Sequence, residues 1–392
     1  MKNATIAVGT MLVVQVMISI SVLSLGVMMP AIAADLAINP KLVGVFTALT
    51  YAVAAGTSLA AAGPIVRLGA VRVCQFALVM AAIGLAVNAI AMVAATVVSV
   101  LFIGLAQGPI NPAAAHILAQ RVPRQWFGTV FSIKQSGTPL GFALAGVIFP
   151  ALLAVTDWRG ASLIAGAAAL AAAIILEPLR PRLDVVVVAA KPSQGIWHSF
   201  RFVMTHPQLK VLGWAAFAYV IAQHTFTFYL VTYLYQQNGM TIAQAGALLS
   251  ASQIAGTVLR LVSGWLGDRF SRLKLLGWSG IAMTVGCVAT SLLAPDSSFW
   301  LVTVVIVGYG AAVISWNGTS QAEFAHLAPP GEVAAVGAVQ NALAFSGAVV
   351  GPPLFAVIAS FASYRLAFLA VAACLLAVAV WQIVAARRPV VT

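Results

Sequence analysis

Apolar runs long enough to cross a bilayer recur twelve times along this chain, and no other feature restricts its fold so tightly. A spanning helix needs about 20 predominantly apolar residues. The runs cover roughly 6–33, 42–63, 72–92, 96–119, 127–153, 159–177, 209–235, 242–267, 274–294, 299–323, 332–360 and 364–386. Most breaks carry turn or charge signals, such as Asn39-Pro40-Lys41, Arg121-Val122-Pro123-Arg124 and Pro329-Pro330-Gly331. Lipid offers no water to satisfy a stray amide, so each run is expected to close its hydrogen bonds internally as an α-helix. Composition agrees. Only 7% of residues are charged and mean hydropathy is +1.04, against roughly 25% charged in an ordinary soluble domain. The first run is about twice the usual signal-peptide core of about 7–15 residues. It is therefore expected to remain as the first span, despite the A-x-A pattern at Ala31-Ile32-Ala33.

The net charge of +12 invites a nucleic-acid reading, which the distribution argues against. Lys and Arg sit in the short gaps, in alternation. With the N-terminus placed inside, fifteen fall in inside segments and three outside (Lys41, Arg159, Arg365), while Lys134 and Arg260 fall within membrane runs. That split predicts cytoplasmic termini, an even number of spans, and a multi-pass protein of a bacterial inner membrane. Cys74, Cys287 and Cys374 lie apart in apolar runs and read as small buried hydrophobes. No Walker loop, metal-ligand cluster or other enzyme motif is present, so no catalytic activity and no cofactor are expected.

The chain reads as three parts: a six-helix bundle over 1–177, a cytoplasmic linker over 178–208, and a second six-helix bundle over 209–392. The halves repeat. At an offset of 202, Gly44 meets Gly246 and Arg67 meets Arg269. At 206, Asn111 meets Asn317, Gly141 meets Gly347, Trp158 meets Tyr364 and Arg159 meets Arg365. Two related halves around a central pathway form a transporter architecture.

Gly264-Trp-Leu-Gly-Asp268-Arg269-Phe-Ser-Arg272, after the eighth run, resembles the G-x-x-x-D-R-x-x-R loop signature of the major facilitator superfamily. The resemblance covers essentially the whole chain. It implies twelve transmembrane helices in two pseudo-symmetric bundles, a functional monomer, and a cytoplasmic gate built on Asp268, Arg269 and Arg272. The first-half copy, Ala62-Gly63-Pro64-Ile65-Val66-Arg67-Leu68-Gly69, carries Val66 where the acid belongs. Helices 4 and 5 are similar to those of bacterial organic-anion/proton symporters in that superfamily. The membrane arginine that drug antiporters carry in helix 4 is absent.

An ionisable side chain deep in a span is costly and marks function by default. Lys134 and Arg260 are two such cations, one from each half, and neither has a carboxylate one helical turn away. They point to an anionic cargo, which Arg grips through paired hydrogen bonds and Lys attracts as a point charge. Gln107, Asn111, Gln135, Trp316, Asn317, Gln340 and Asn341 are the expected polar lining, with His224 beside them. His224 and Glu323 are the candidate proton carriers. The sequence thus predicts a secondary transporter of a small organic anion, a carboxylate, moved across the lipid bilayer with protons by alternating access. A drug or metabolite/proton antiporter acting as an exporter is the alternative.

Overall fold

The computed structural model describes residues 2–121, 130, 133–184, 196–267, 269–328 and 333–386. They are almost wholly helical. We number the long helices α1 (Lys2–Leu36), α2 (Val43–Ala60), α3 (Ala70–Asn88), α4 (Val93–Gln107, resuming as Ile110–Arg121), α5 (Gly137–Leu153) and α6 (Trp158–Ile175). The second series is α7 (Pro207–Gln237), α8 (Ile242–Gly267), α9 (Arg272–Ser291), α10 (Phe299–Leu327), α11 (Val333–Phe361) and α12 (Tyr364–Ala385). Eleven of the described helices are long and apolar enough to cross a membrane on their own. The twelfth, α2, is interrupted at Ala61 and continues as Ala62–Leu68. α4 breaks at Gly108-Pro109, where proline has no N–H to donate, while α11 runs through Pro352 and Pro353 unbroken. Segment 178–208, expected as linker, contains two short helices, Arg180–Leu183 and Ile196–Thr205.

Helix starts follow local chemistry. Asp157, Ser271, Ser298 and Ser363 each accept a backbone N–H in the first turn of α6, α9, α10 and α12. His206 caps α7, its Nδ1 accepting from Leu209 N at 3.3 Å. Only the neutral ring can accept there, and partial burial lowers the imidazole pKa to match.

The chain forms two compact units, Met1–Ala190 with Thr241–Ser250, and Lys191–Met240 with Ala251–Thr392. In the first, α1 packs on α5, α3 on both α4 and α6, and α2 on α4. In the second, α7 packs on α11, α9 on α12 and α10, and α7 on α12. Small residues set these approaches, since van der Waals contact rather than hydrophobic exclusion holds helices together in lipid. The same contacts recur in both units, at the sequence offsets of 202 and 206 for α3 to α6 and at 201 for α1. A Cβ added to Gly84 would lie 3.0 Å from Ile103 Cγ1, and one added to Gly286 would lie 2.7 Å from Tyr309 Cβ. A Cβ added to Gly141 would lie 2.6 Å from the Val16 carbonyl oxygen, and one added to Gly347 would lie 2.5 Å from the Phe217 carbonyl oxygen. Trp158 Nε1 donates to Asp35 Oδ2 at 3.2 Å, and Tyr364 Oη to Gln236 Oε1 at 2.9 Å. In the first unit Arg159 adds an ion pair to Asp35 at 2.7 Å.

Candidate functional site

In the first unit the break in α4 opens a short polar patch. Gln107 ends the first part of α4, and Asn111 lies in the first turn of the resumed part, on the other side of the break. Lys134 lies just before α5, in residues 133–135, which are helical and end in a turn at Ser136. It is 2% exposed. Its Nζ donates to Asn111 Oδ1 and, at 3.1 Å, to Gln135 Oε1. Both acceptors are neutral amides, and among the described residues no carboxylate pairs with the ammonium. Gln107 Oε1 is buried without a hydrogen-bond partner. Three of the sequence-predicted residues, Lys134, Asn111 and Gln135, are thus in direct contact.

In the second unit Arg260 reaches from α8 to α10, where Nε and Nη2 both donate to the Ile314 carbonyl at 3.2 and 2.7 Å. It also lacks a carboxylate partner among the described residues. No acid occurs between Asp184 and Asp268 in sequence. Trp316, 1% exposed, donates its indole N–H to Gln223 Oε1 at 3.1 Å and meets Tyr219 edge-on at 5.5 Å. That bond fixes the Gln223 amide with its NH2 pointing away from Trp316. Gln223 was not among the expected lining residues. His224 places Nδ1 3.1 Å from the Val220 carbonyl and stacks on Phe228 at 5.8 Å. A carbonyl only accepts, so Nδ1 carries the hydrogen and Nε2 is the basic nitrogen. Gln340 bonds Ser320 at 2.9 Å, bridging α11 and α10. Asn317 is half-buried and Asn341 exposed.

The gating candidates separate. Asp268 lies outside the described residues. Arg269 sits 3.9 Å over the Trp265 ring, a cation–π arrangement. Arg272 pairs with Glu323 at 3.8 Å, joining the start of α9 to α10. A proton-carrier candidate and a gate candidate are therefore partners.

The first unit has its own polar cluster, which sequence spacing did not reveal. Asp184 accepts from Val71 N at 2.8 Å and Arg72 N at 3.4 Å, at the start of α3. Arg72 pairs with Glu177 at 3.0 Å, and Arg121 donates to the Arg182 carbonyl at 2.7 Å.

The family model described as Major Facilitator Superfamily matches residues 11–347 and 239–391. The chain belongs to the Major Facilitator Superfamily. It is 27% identical to an uncharacterized MFS-type transporter of Mycobacterium tuberculosis, over 73% of this chain and 65% of that protein. It is 21% identical to a hexuronate transporter of Bacillus subtilis, over 68% of this chain and 66% of that protein. It is 23% identical to a probable L-galactonate transporter of Escherichia coli, over 73% and 68%. The chain thus spans about two thirds of the length of these relatives. A crystal structure of a nucleoside transporter superposes with a TM-score of 0.79, at 17% identity, covering 97% of this chain and 99% of that one. This facilitator is therefore a multi-pass membrane protein with the superfamily's twelve-helix fold.

Proposed function

We propose that this facilitator carries a small organic anion, a carboxylate, across a bacterial inner membrane with protons, by alternating access and with both termini cytoplasmic. One observation carries the reading: Lys134 and Arg260 are cations within the spans, held only by neutral oxygens among the described residues. A buried cation with no acidic mate keeps its attraction for an incoming anion. The names of the hexuronate and L-galactonate relatives point to the same class of cargo. In the second unit Arg260 has guanidinium hydrogens beyond those given to the Ile314 carbonyl with which to hold a carboxylate, and in the first unit Lys134, Asn111 and Gln135 form a separate patch of charge and amides suited to an anion. His224 takes the proton at Nε2. Glu323, paired with Arg272, reads better as part of a latch than as a second carrier.

Purified protein in proteoliposomes should accumulate one or more labelled hexuronates or aldonates when an inward pH gradient is imposed, and not the matching neutral sugar. Arg260→Ala and Lys134→Ala should each cut uptake at least about tenfold, the equivalent of about 1.4 kcal/mol. Uptake that survives both substitutions rules out the charge-based reading. Uptake indifferent to the pH gradient rules out proton coupling.

A further inference from the structure

The short helix Ile196–Thr205 has two unlike faces. On one side Val203 is fully buried, and the helix packs on α7 and α11. Val203 and Met204 close over Gly213 of α7, where an added Cβ would lie 3.9 Å from Val203 Cγ1 and 3.7 Å from Met204 Cε. On the other side Trp197 is 79% exposed and Phe200 37%. Their rings meet edge-on at 6.1 Å, and His198, Arg201 and Thr205 are exposed alongside. A tryptophan this open to water is an unfavourable surface on a soluble segment.

Two observations say what covers it. The first is connectivity. His206 alone separates this helix from α7, which begins at Pro207 and spans the membrane. The face is therefore tethered to the first turn of a helix long and apolar enough to cross the membrane, on which Trp214 is also exposed. The second is charge. Arg201 and Lys210 are both exposed, and no acid lies within the 185–267 stretch that could neutralise them. Aromatic rings with an apolar body and a polar edge settle at the headgroup boundary, and basic residues near an anionic leaflet are drawn to it.

We propose that the Trp197–Phe200–Arg201 face is a lipid-binding surface: the rings lie at the headgroup boundary of the adjoining leaflet, and Arg201 and Lys210 engage anionic phospholipid headgroups. The inference is independent of the transported cargo.

The test uses the full chain with Cys74, Cys287 and Cys374 replaced by serine and one cysteine introduced, labelled with an environment-sensitive dye. Trp197→Cys reports the face, Asp296→Cys on the exposed α9–α10 turn reports water, and Val285→Cys on the exposed side of α9 reports the apolar core. Each protein is reconstituted in nanodiscs of phosphatidylcholine with or without phosphatidylglycerol. A bound face gives blue-shifted emission at position 197, quenching by lipid-borne spin labels, and iodide access about threefold or more below that at position 296, all enhanced by phosphatidylglycerol. Adding Arg201→Gln and Lys210→Gln should remove the phosphatidylglycerol effect and leave the shallow burial. Iodide access equal to that at position 296 in both lipids overturns the proposal. So does protection that arises only when soluble protein is added, which assigns the face to a protein partner. A phosphatidylglycerol effect that survives both glutamine substitutions overturns the headgroup contacts.

Discussion

Lys134 sets the hardest chemical problem in the first unit: an ammonium 2% exposed, answered among the described residues by the oxygens of Asn111 and Gln135. Whether its charge serves structure or cargo can be separated at Asn111. Asn111→Asp is nearly isosteric and places a carboxylate against Nζ. Melting temperature in detergent should hold or rise, because the buried charge gains a mate. Carboxylate uptake should fall at least about tenfold, because that mate competes with the anion. Asn111→Leu should do the opposite to stability, costing about 1–3 kcal/mol for the donor left unmet. Normal uptake by the aspartate variant would show that the cargo does not use this charge. Lys134, Asn111 and Gln135 were legible in the sequence because a polar side chain stands out in an apolar run. Their bonding was legible only in part. The acceptor for Arg260 is the backbone carbonyl of Ile314, a group every residue carries and no pattern marks. Gln223 escaped notice because its role depends on Trp316, 93 residues away.

At the scale of the element, the two halves solve one capping problem differently. α9 starts from Ser271, whose own hydroxyl accepts a backbone N–H of the first turn. The equivalent position before α3, at the offset of 202, is Gly69, which has no side chain to offer and sits at φ +93°. Asp184 arrives instead, and its carboxyl group occupies the space a Gly69 Cβ would need. A carboxylate at a helix N-terminus is favoured by both the free N–H groups and the helix dipole. Asp184→Ala should therefore lower stability by about 1 kcal/mol. Gly69→Ala should cost about 1–2 kcal/mol for the left-handed backbone, plus the clash with the carboxylate. The double variant should lose less than the two single losses combined, since removing the carboxylate relieves the clash. Melting temperatures of the four proteins measure that coupling, and strict additivity would show that the two residues do not press on each other. The sequence displayed half of this. Val66 in place of the loop acid was visible beside Gly69, but the acid at the start of α3 comes from a segment read as linker. The long helices themselves were plain, because their apolar runs far exceed any core strand or helix. The interruption at Ala61 went unread, although Pro64, three residues on, has no N–H to give the Ala60 carbonyl.

For the whole molecule, duplication explains why so much repeats and charge explains what does not. Offsets of 202 for α2 and α3 and 206 for the helices after them, read from scattered matches, reappear as paired contacts at Gly84 and Gly286 and at Gly141 and Gly347, with the α1 partner of the last pair offset by 201. Duplication does not extend to the buried cations. Lys134 corresponds at an offset of 206 to Gln340, which bonds neutral Ser320, and Arg260 corresponds at the offset of 202 to Ser58. Each half thus holds one cation at a non-equivalent place. The surface cations follow a different rule: fifteen fall on one predicted side and three on the other. Positive loops resist translocation, so this imbalance predicts the orientation, whereas Lys134 and Arg260 contribute nothing to it. Green fluorescent protein fused after Thr392 should fluoresce, and alkaline phosphatase fused there should be inactive. Phosphatase inserted at Asn39, in the turn between α1 and α2, should be active. Moving the balance should move the result. Neutralising Arg269, Arg272 and Lys274 together, with lysines added beside Asp296, should give a mixed population in which phosphatase inserted at Asp296 loses activity. Active phosphatase at the C-terminus of the unaltered protein would invert the assignment, placing the linker and its Trp197 face on the opposite leaflet while leaving the two buried cations where they are.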